Sequence, residues 1–222
     1  MKPTLRIIHN LARTGGTIMC RCLGCMEGVA LLSEIHPDMD MVFDPITQAR
    51  AWHGIHNTRE TEFSNVIKEI EFWANEQGNA LVVRSWDHID FMPSKFNREP
   101  TYKSKLVEVL EPHFDLRRIA ITRNGRDMWA SLARHDSMAE DVASGVFTPK
   151  EFMRGYDAYL EATAGLKRFD YDSFLKCTTA DLREMCSALE LPYDDTWRDK
   201  WRAYHKVTGC LSNVKTLQGE MP

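Results

Sequence analysis

Residues 7–24, IIHNLARTGGTIMCRCLG, begin as an apolar strand, break on Gly15 and Gly16, and resume at once as an apolar run with helical spacing. A strand that passes into a helix through a tight glycine turn is the repeating unit of a parallel α/β sheet. Ligands of such sheets gather at the carboxyl ends of the strands, where the first amides of the next helix have no partner. Those amides and the positive helix end suit an anion, above all a phosphate. Gly15 and Gly16 let the backbone turn around such a group, Thr17 adds a hydroxyl at the helix start, and Arg13 brings a charge. The stretch is no triphosphate-binding G-x-x-x-x-G-K-[ST] loop, because Gly15-Gly16-Thr17 stands where that motif ends in a lysine. On this stretch alone, a purely structural turn explains the glycines equally well.

The rest of the chain keeps the same alternation. Leu5 to Asn10 reads as a strand, Thr17 to Val29 as a helix and Ala30 to Ile35 as a second strand. Residues 59 to 77 place Phe63, Val66, Ile67, Ile70 and Trp73 on one helical face, and Gly78 stops the run. Two near-continuous apolar runs, ALVVRS (80–85) and LRRIAITRN (116–124), suit strands covered on both faces. A helix from Arg126 to Arg134 follows. Thr148-Pro149-Lys150-Glu151 then signals another, extending to about Gly165. KRFDYDSFL (167–175) gives a last strand, and residues 178–191 and 194–205 give two more helices. Residues 36–60 and 136–147 lack periodicity and are expected to be loops over a binding site. The expectation is one α/β domain spanning residues 1–222, with a central parallel sheet.

Composition narrows the partners. Lys and Arg number 28 against 32 Asp and Glu, a net charge of -4, so nothing draws the whole molecule to nucleic acid or to an anionic membrane. The apolar run at the N-terminus is too short for a signal sequence or a membrane span, and a cytoplasmic protein is expected. The 6 cysteines then read as reduced thiols. Cys20, Cys22 and Cys25 resemble a metal motif, yet on a helix they point about 0°, 200° and 500° around the axis. They do not converge, and core packing is the expectation. His36, Asp38, Asp40, Asp44, His53 and His56 likewise fit no compact ligand spacing.

A second strand end repeats the chemistry of the first. IAITRNGRDMWAS (119–131) ends a strand on Arg123 and carries Ser131 two helical turns later, with Arg126 between them. Two anion sites on neighbouring strand ends suit a nucleotide phosphorylated at both its 3′ and 5′ positions. Here the sequence resembles the PAPS-dependent sulfotransferases, whose donor is 3′-phosphoadenosine 5′-phosphosulfate (PAPS). Their 5′-phosphosulfate loop, P-[KR]-[ST]-G-T-T, is matched by ARTGGT at Arg13, Thr14, Gly15 and Thr17. Their 3′-phosphate segment, R-[ND]-P-x-D-x-x-x-S, is matched at Arg123, Asn124, Asp127 and Ser131. RFDYDSFL, with Tyr171, is similar to their Y-E-D-L stretch, and HKVTGC (205–210) to the end of their cofactor-covering loop. Ala12 stands in place of the usual proline, Gly16 of a threonine, Gly125 of a proline and Cys210 of an acidic residue.

The resemblance implies a three-layer P-loop-type fold, PAPS as cosubstrate, the bisphosphate PAP as product, and no metal. It implies nucleotide contacts at Arg13, Thr14, Gly15, Gly16, Thr17, Ile18, Arg123, Ser131, Tyr171, Lys206, Thr208 and Gly209. Arg13 takes the family's catalytic Lys/Arg position. For the general base three residues compete: Glu34 at the end of the second strand, then His88, then Asp87, with His36 a further option. Arg84 is a candidate for sulfate or acceptor binding or for a surface ion pair. Trp52, Trp73 and Trp86 are candidates for an acceptor pocket or for core, with Trp73 assigned to core by its helix stripe. The acceptor itself, whether small molecule, glycan or lipid, has no readable code. Two other readings stay open: a small-molecule kinase, which needs a Walker lysine, and a nucleotide-binding protein without catalysis.

Overall fold

The computed structural model describes residues 2–38, 43–94, 97–209 and 217. Five strands, β1 (Thr4–Asn10), β2 (Val29–Ile35), β3 (Ala80–Ser85), β4 (Asp115–Thr122) and β5 (Lys167–Asp170), form one sheet in the order β2-β3-β1-β4-β5. Every pair is parallel. The helices are α1 (Gly16–Gly24), α2 (Pro45–His53), α3 (Phe63–Glu76), α4 (Asp87–Phe91), α5 (Lys105–Leu110), α6 (Gly125–Leu132), α7 (Asp136–Ala143), α8 (Pro149–Ala162), α9 (Tyr171–Ala188) and α10 (Trp197–Lys200).

Strand periodicity divides the core between two faces. In β3, Val82 joins a cluster with Ile18, Met19, Phe174 and Trp197, while Leu81 and Val83 join the opposite one with Val66, Ile67 and Ile70 of α3. A third cluster, with Leu11, Phe91, Met128, Phe152 and Tyr159, lies beneath the β1–α1 junction. Cys20 and Cys22 are fully buried in the first cluster, as core packing requires. Burial pushes the Cys20 thiol up to about 11 and that of Cys25 up to about 12, so both stay protonated.

Several element boundaries differ from expectation for local reasons. Helix α1 stops at Gly24, and Gly28 at φ 78° turns the chain so that β2 begins on Val29. The last strand ends at Asp170, whose carboxylate accepts from the Ser173 amide at 3.0 Å and caps α9. Tyr171 therefore opens a helix instead of continuing a strand, and α10 is only four residues long. The segment 36–60 contains α2, started by Asp44 accepting from Ile46 and Thr47, while residues 39–42 lie outside the described part. The segment 136–147 contains α7. Among the described residues no helix is long and apolar enough to cross a membrane.

Strand β2 lies at the sheet edge and breaks register between Leu32 and Ile35. Helix α2 supplies what the ladder there cannot. Gln48 accepts from the Ser33 amide at 2.7 Å and donates to its carbonyl at 2.9 Å, and His53 Nε2 donates to the Leu31 carbonyl at 2.9 Å. The irregularity leaves Glu34 in the left-handed region at φ 58°, with its side chain at the carboxyl edge of the sheet.

Candidate active site

The β1–α1 loop is built around its own backbone. Thr14 donates from Oγ1 (2.7 Å) and from its amide (3.3 Å) to the Leu11 carbonyl, which closes the turn. Gly15 has φ 87°, and a Cβ there would stand 2.0 Å from the Tyr171 ring, so only glycine fits. Its carbonyl accepts from the Ile18 and Met19 amides at 3.1 and 3.3 Å. The amides of Gly15, Gly16 and Thr17 have no acceptor among the described residues. Three donors at a helix start are thereby left for an anion. The expectation for Ile18 needs correcting: its side chain is buried in the core, and its amide is used within the turn.

The two segments expected to hold phosphates meet. Strands β1 and β4 are neighbours, and Arg13 Nε donates to Ser131 Oγ at 2.9 Å across their ends. Arg123 Nη1 donates to the Arg13 carbonyl at 3.3 Å, and its guanidinium lies 4.8 Å from the centre of the Tyr171 ring. Arg123 Nε is buried without a hydrogen-bond partner among the described residues, 3.9 Å from an oxygen of Asp172. Arg126 is exposed; Asn124 caps α6 by accepting from its amide. Burial is the main cause holding the Tyr171 phenol above its usual range, so it stays neutral.

Arg84 proved more central than the sequence implied. It is 3% exposed at the end of β3 and donates in five directions. Nε reaches Asn10 Oδ1 at 3.0 Å. Nη1 reaches Ser33 Oγ and the Thr208 carbonyl at 3.2 Å each and Thr17 Oγ1 at 3.4 Å, and Nη2 meets Glu34 Oε1 at 2.8 Å. One buried guanidinium thus ties three strand ends, the helix start and the C-terminal segment together. Thr208 is held further by Ser33, through its hydroxyl at 2.8 Å and its amide at 3.1 Å. Gly209 passes so close to Thr17 that a Cβ would stand 2.6 Å from its hydroxyl. Lys206 is exposed and does not line the cavity described next, and Cys210 lies outside the described residues.

Beside this cluster opens a cavity of about 400 Å³. Arg13, Thr17, Glu34, Arg84, Thr208 and Gly209 form its polar end, and Phe43, Trp86, Ile89, Leu132 and Met138 its apolar walls. Trp86 and Phe43 meet edge to face at 4.8 Å. Trp73 packs on the core cluster of α3, as its stripe implied, and Trp52 lies on α2, away from the cavity.

The three candidate bases separate by environment. Asp87 is fully buried and accepts from His9 Nδ1 (3.0 Å), the Asn10 amide (3.0 Å), Ser85 Oγ (2.7 Å) and Ser104 Oγ (3.3 Å). It anchors β1 to α4 and does not reach the cavity. His36 is buried against Asp90 at 3.1 Å. His88 lines the cavity, but both ring nitrogens are buried without a hydrogen-bond partner among the described residues, and burial pushes its pKa down to about 4. Glu34 alone combines a carboxylate 20% exposed, a place on the cavity wall and an ion pair that orients it.

No protein-family model and no curated protein matches the chain. Solved structures do. The sulfotransferase domain of the Synechococcus PCC 7002 olefin synthase matches with a TM-score of 0.57 at 14% identity, over 88% of this chain and 76% of that one. Sulfotransferase STF1 from Mycobacterium tuberculosis H37Rv matches with a TM-score of 0.50 at 14% identity, over 91% of this chain and 71% of that one. Identity that low speaks for architecture, and this chain has the three-layer α/β fold of these sulfotransferases.

Proposed function

We propose that the protein is a single-domain PAPS-dependent sulfotransferase that moves a sulfuryl group to a hydroxyl or amine of an acceptor held in the cavity. The observation carrying this reading is the junction of the two phosphate segments: Arg13 on Ser131 at 2.9 Å and Arg123 on the Arg13 carbonyl at 3.3 Å. Residues so close together can serve two ends of one bisphosphorylated nucleotide. The three loop amides and Thr17 suit the 5′-phosphate, while Arg123, whose Nε has no hydrogen-bond partner among the described residues, and Ser131 suit the 3′-phosphate.

The chemistry follows from the walls of the site. The acceptor hydroxyl sits between Glu34 and Arg13, and Glu34 takes its proton as the acceptor oxygen bonds to sulfur. The bond from sulfur to the bridging phosphate oxygen breaks, and PAP leaves with both electrons. Arg13 balances the charge growing on that phosphate, and it does so without proton transfer because a guanidinium keeps its protons. Arg84 holds Glu34 in place against the cavity wall. Alignment and charge neutralisation supply most of the rate, as in phosphoryl transfer.

Melting curves with PAP, ATP and AMP test this reading. PAP is expected to raise the midpoint well above either competitor. In Arg123→Ala, PAP affinity is expected to fall by about 10- to 100-fold, the cost of one charge-assisted contact of about 1.5–3 kcal/mol, with AMP binding little changed. Equal stabilisation by ATP favours a kinase; PAP binding without sulfuryl transfer to any acceptor favours a binding protein.

A further inference from the structure

The cavity carries two charges that the protein leaves unbalanced, and they have opposite sign. Arg84 and Glu34 neutralise each other at 2.8 Å. Among the described residues, Arg13 has the Ser131 hydroxyl as its one side-chain hydrogen-bond partner, which leaves its charge for the sulfuryl end. The other is Asp141 on α7. Its backbone carbonyl accepts from the Phe147 amide at 2.9 Å and Ser144 Oγ at 3.2 Å, while its carboxylate has no partner among the described residues. His135, Met138 and Asp141 all line the cavity at three-residue intervals, so one face of α7 is turned inward; Ala139 and Glu140 between them are exposed. Asp141 is half-buried there, and His88, held neutral, adds no compensating cation to the wall. A carboxylate partly withdrawn from water in a cavity that the Trp86 and Phe43 rings also line is a setting that favours an organic cation.

Resting on the reading of this cavity as the acceptor site, we infer that the acceptor is a compact hydroxyl compound bearing an ammonium group. Its hydroxyl lies toward Glu34 and Arg13, its apolar body along Trp86, Leu132 and Met138, and its ammonium against Asp141. About 400 Å³ accommodates one ring with a short aminoalkyl arm and excludes a glycan chain.

Four probes test this by calorimetric titration, each with and without saturating PAP: tyramine, 4-ethylphenol, 3-(4-hydroxyphenyl)propanoate and trans-4-(aminomethyl)cyclohexanol. The two amines are expected to bind about tenfold tighter than the uncharged phenol, a difference of about 1.4 kcal/mol. The propanoate is expected to bind weakest. Asp141→Asn removes the preference for amines, whereas Glu140→Gln on the exposed face keeps it. Equal binding of tyramine and 4-ethylphenol, tighter binding of the propanoate, an amine preference that survives Asp141→Asn, or no binding of any probe overturns the inference. Failure of PAP to bind, with the amine preference intact, overturns the nucleotide assignment instead.

Discussion

The two halves of the site are made in different ways. In the proposed nucleotide half, the loop amides come from residues adjacent in sequence, with a geometry set by Gly15 and the β1–α1 turn, and Arg123 and Ser131 join them from the end of β4 and from α6. The acceptor half is gathered from β2, β3, α4, α6, α7 and the C-terminal segment, and side chains hold it together. The first half carries strain at Arg13, a non-glycine residue at φ 69°, and the second at Glu34, at φ 58°. Among the described residues, only the second has a buried ion pair to hold its strained residue in place. Local sequence thus specifies the β1–α1 loop, whereas tertiary contacts bring Arg123 and Ser131 to it and specify the chamber beside it.

The sharpest way to break this contrast is at Arg84. Arg84→Met leaves Glu34, Ser33, Thr17 and the Thr208 carbonyl without their common donor, and is expected to cost about 3 kcal/mol of stability, read from the urea midpoint. If the loss stays below about 1 kcal/mol, the acceptor half is not held as described.

Acid comes next, and it also acts on the acceptor half. The His88 pKa is pushed from 6.5 to about 4 by burial, so the unfolded chain takes up this proton first as the pH falls. Stability is therefore lost between pH 6.5 and about 4, on the order of 3 kcal/mol from this group, and changes no further from it below that. Urea midpoints measured across that window should fall less steeply in His88→Phe than in the wild type.

The smallest effect belongs to the nucleotide half. Arg13→Gly relieves a left-handed residue and loses one hydrogen bond, so the melting temperature is expected to shift by no more than the equivalent of about 1 kcal/mol. Sulfuryl transfer should nevertheless collapse, since the charge on the leaving side is gone. A large loss of stability would mean that Arg13 also holds the fold.

What the sequence revealed follows the same division. The α/β alternation, the strand-end placement of Arg13 and Arg123 and the helix carrying Ser131 were legible, because each rests on residues close in the chain. Asp87 looked like a base on position alone; only the fold shows four donors converging on it from β1, β3 and the start of α5. Arg84 was noticed at its strand end, but no local pattern reveals that Asn10, Thr17, Glu34 and Thr208 surround it. Helix α7 was missed because its apolar positions, Met138 and Val142, are too few to set a period. RFDY favours extended chain at Tyr171, while Asp170 as a cap decides for helix.

The clasp of α2 on β2 bears on solubility. The Gly28 carbonyl accepts from the Ala80 amide of β3, so by strand alternation Leu31 and Ser33 turn their polar groups to the outer margin of the sheet. Unmet, those groups form a template on which another chain could lay a strand. Gln48 and His53 occupy them instead, so two side chains of one helix act as a guard against fibril-like growth from this margin.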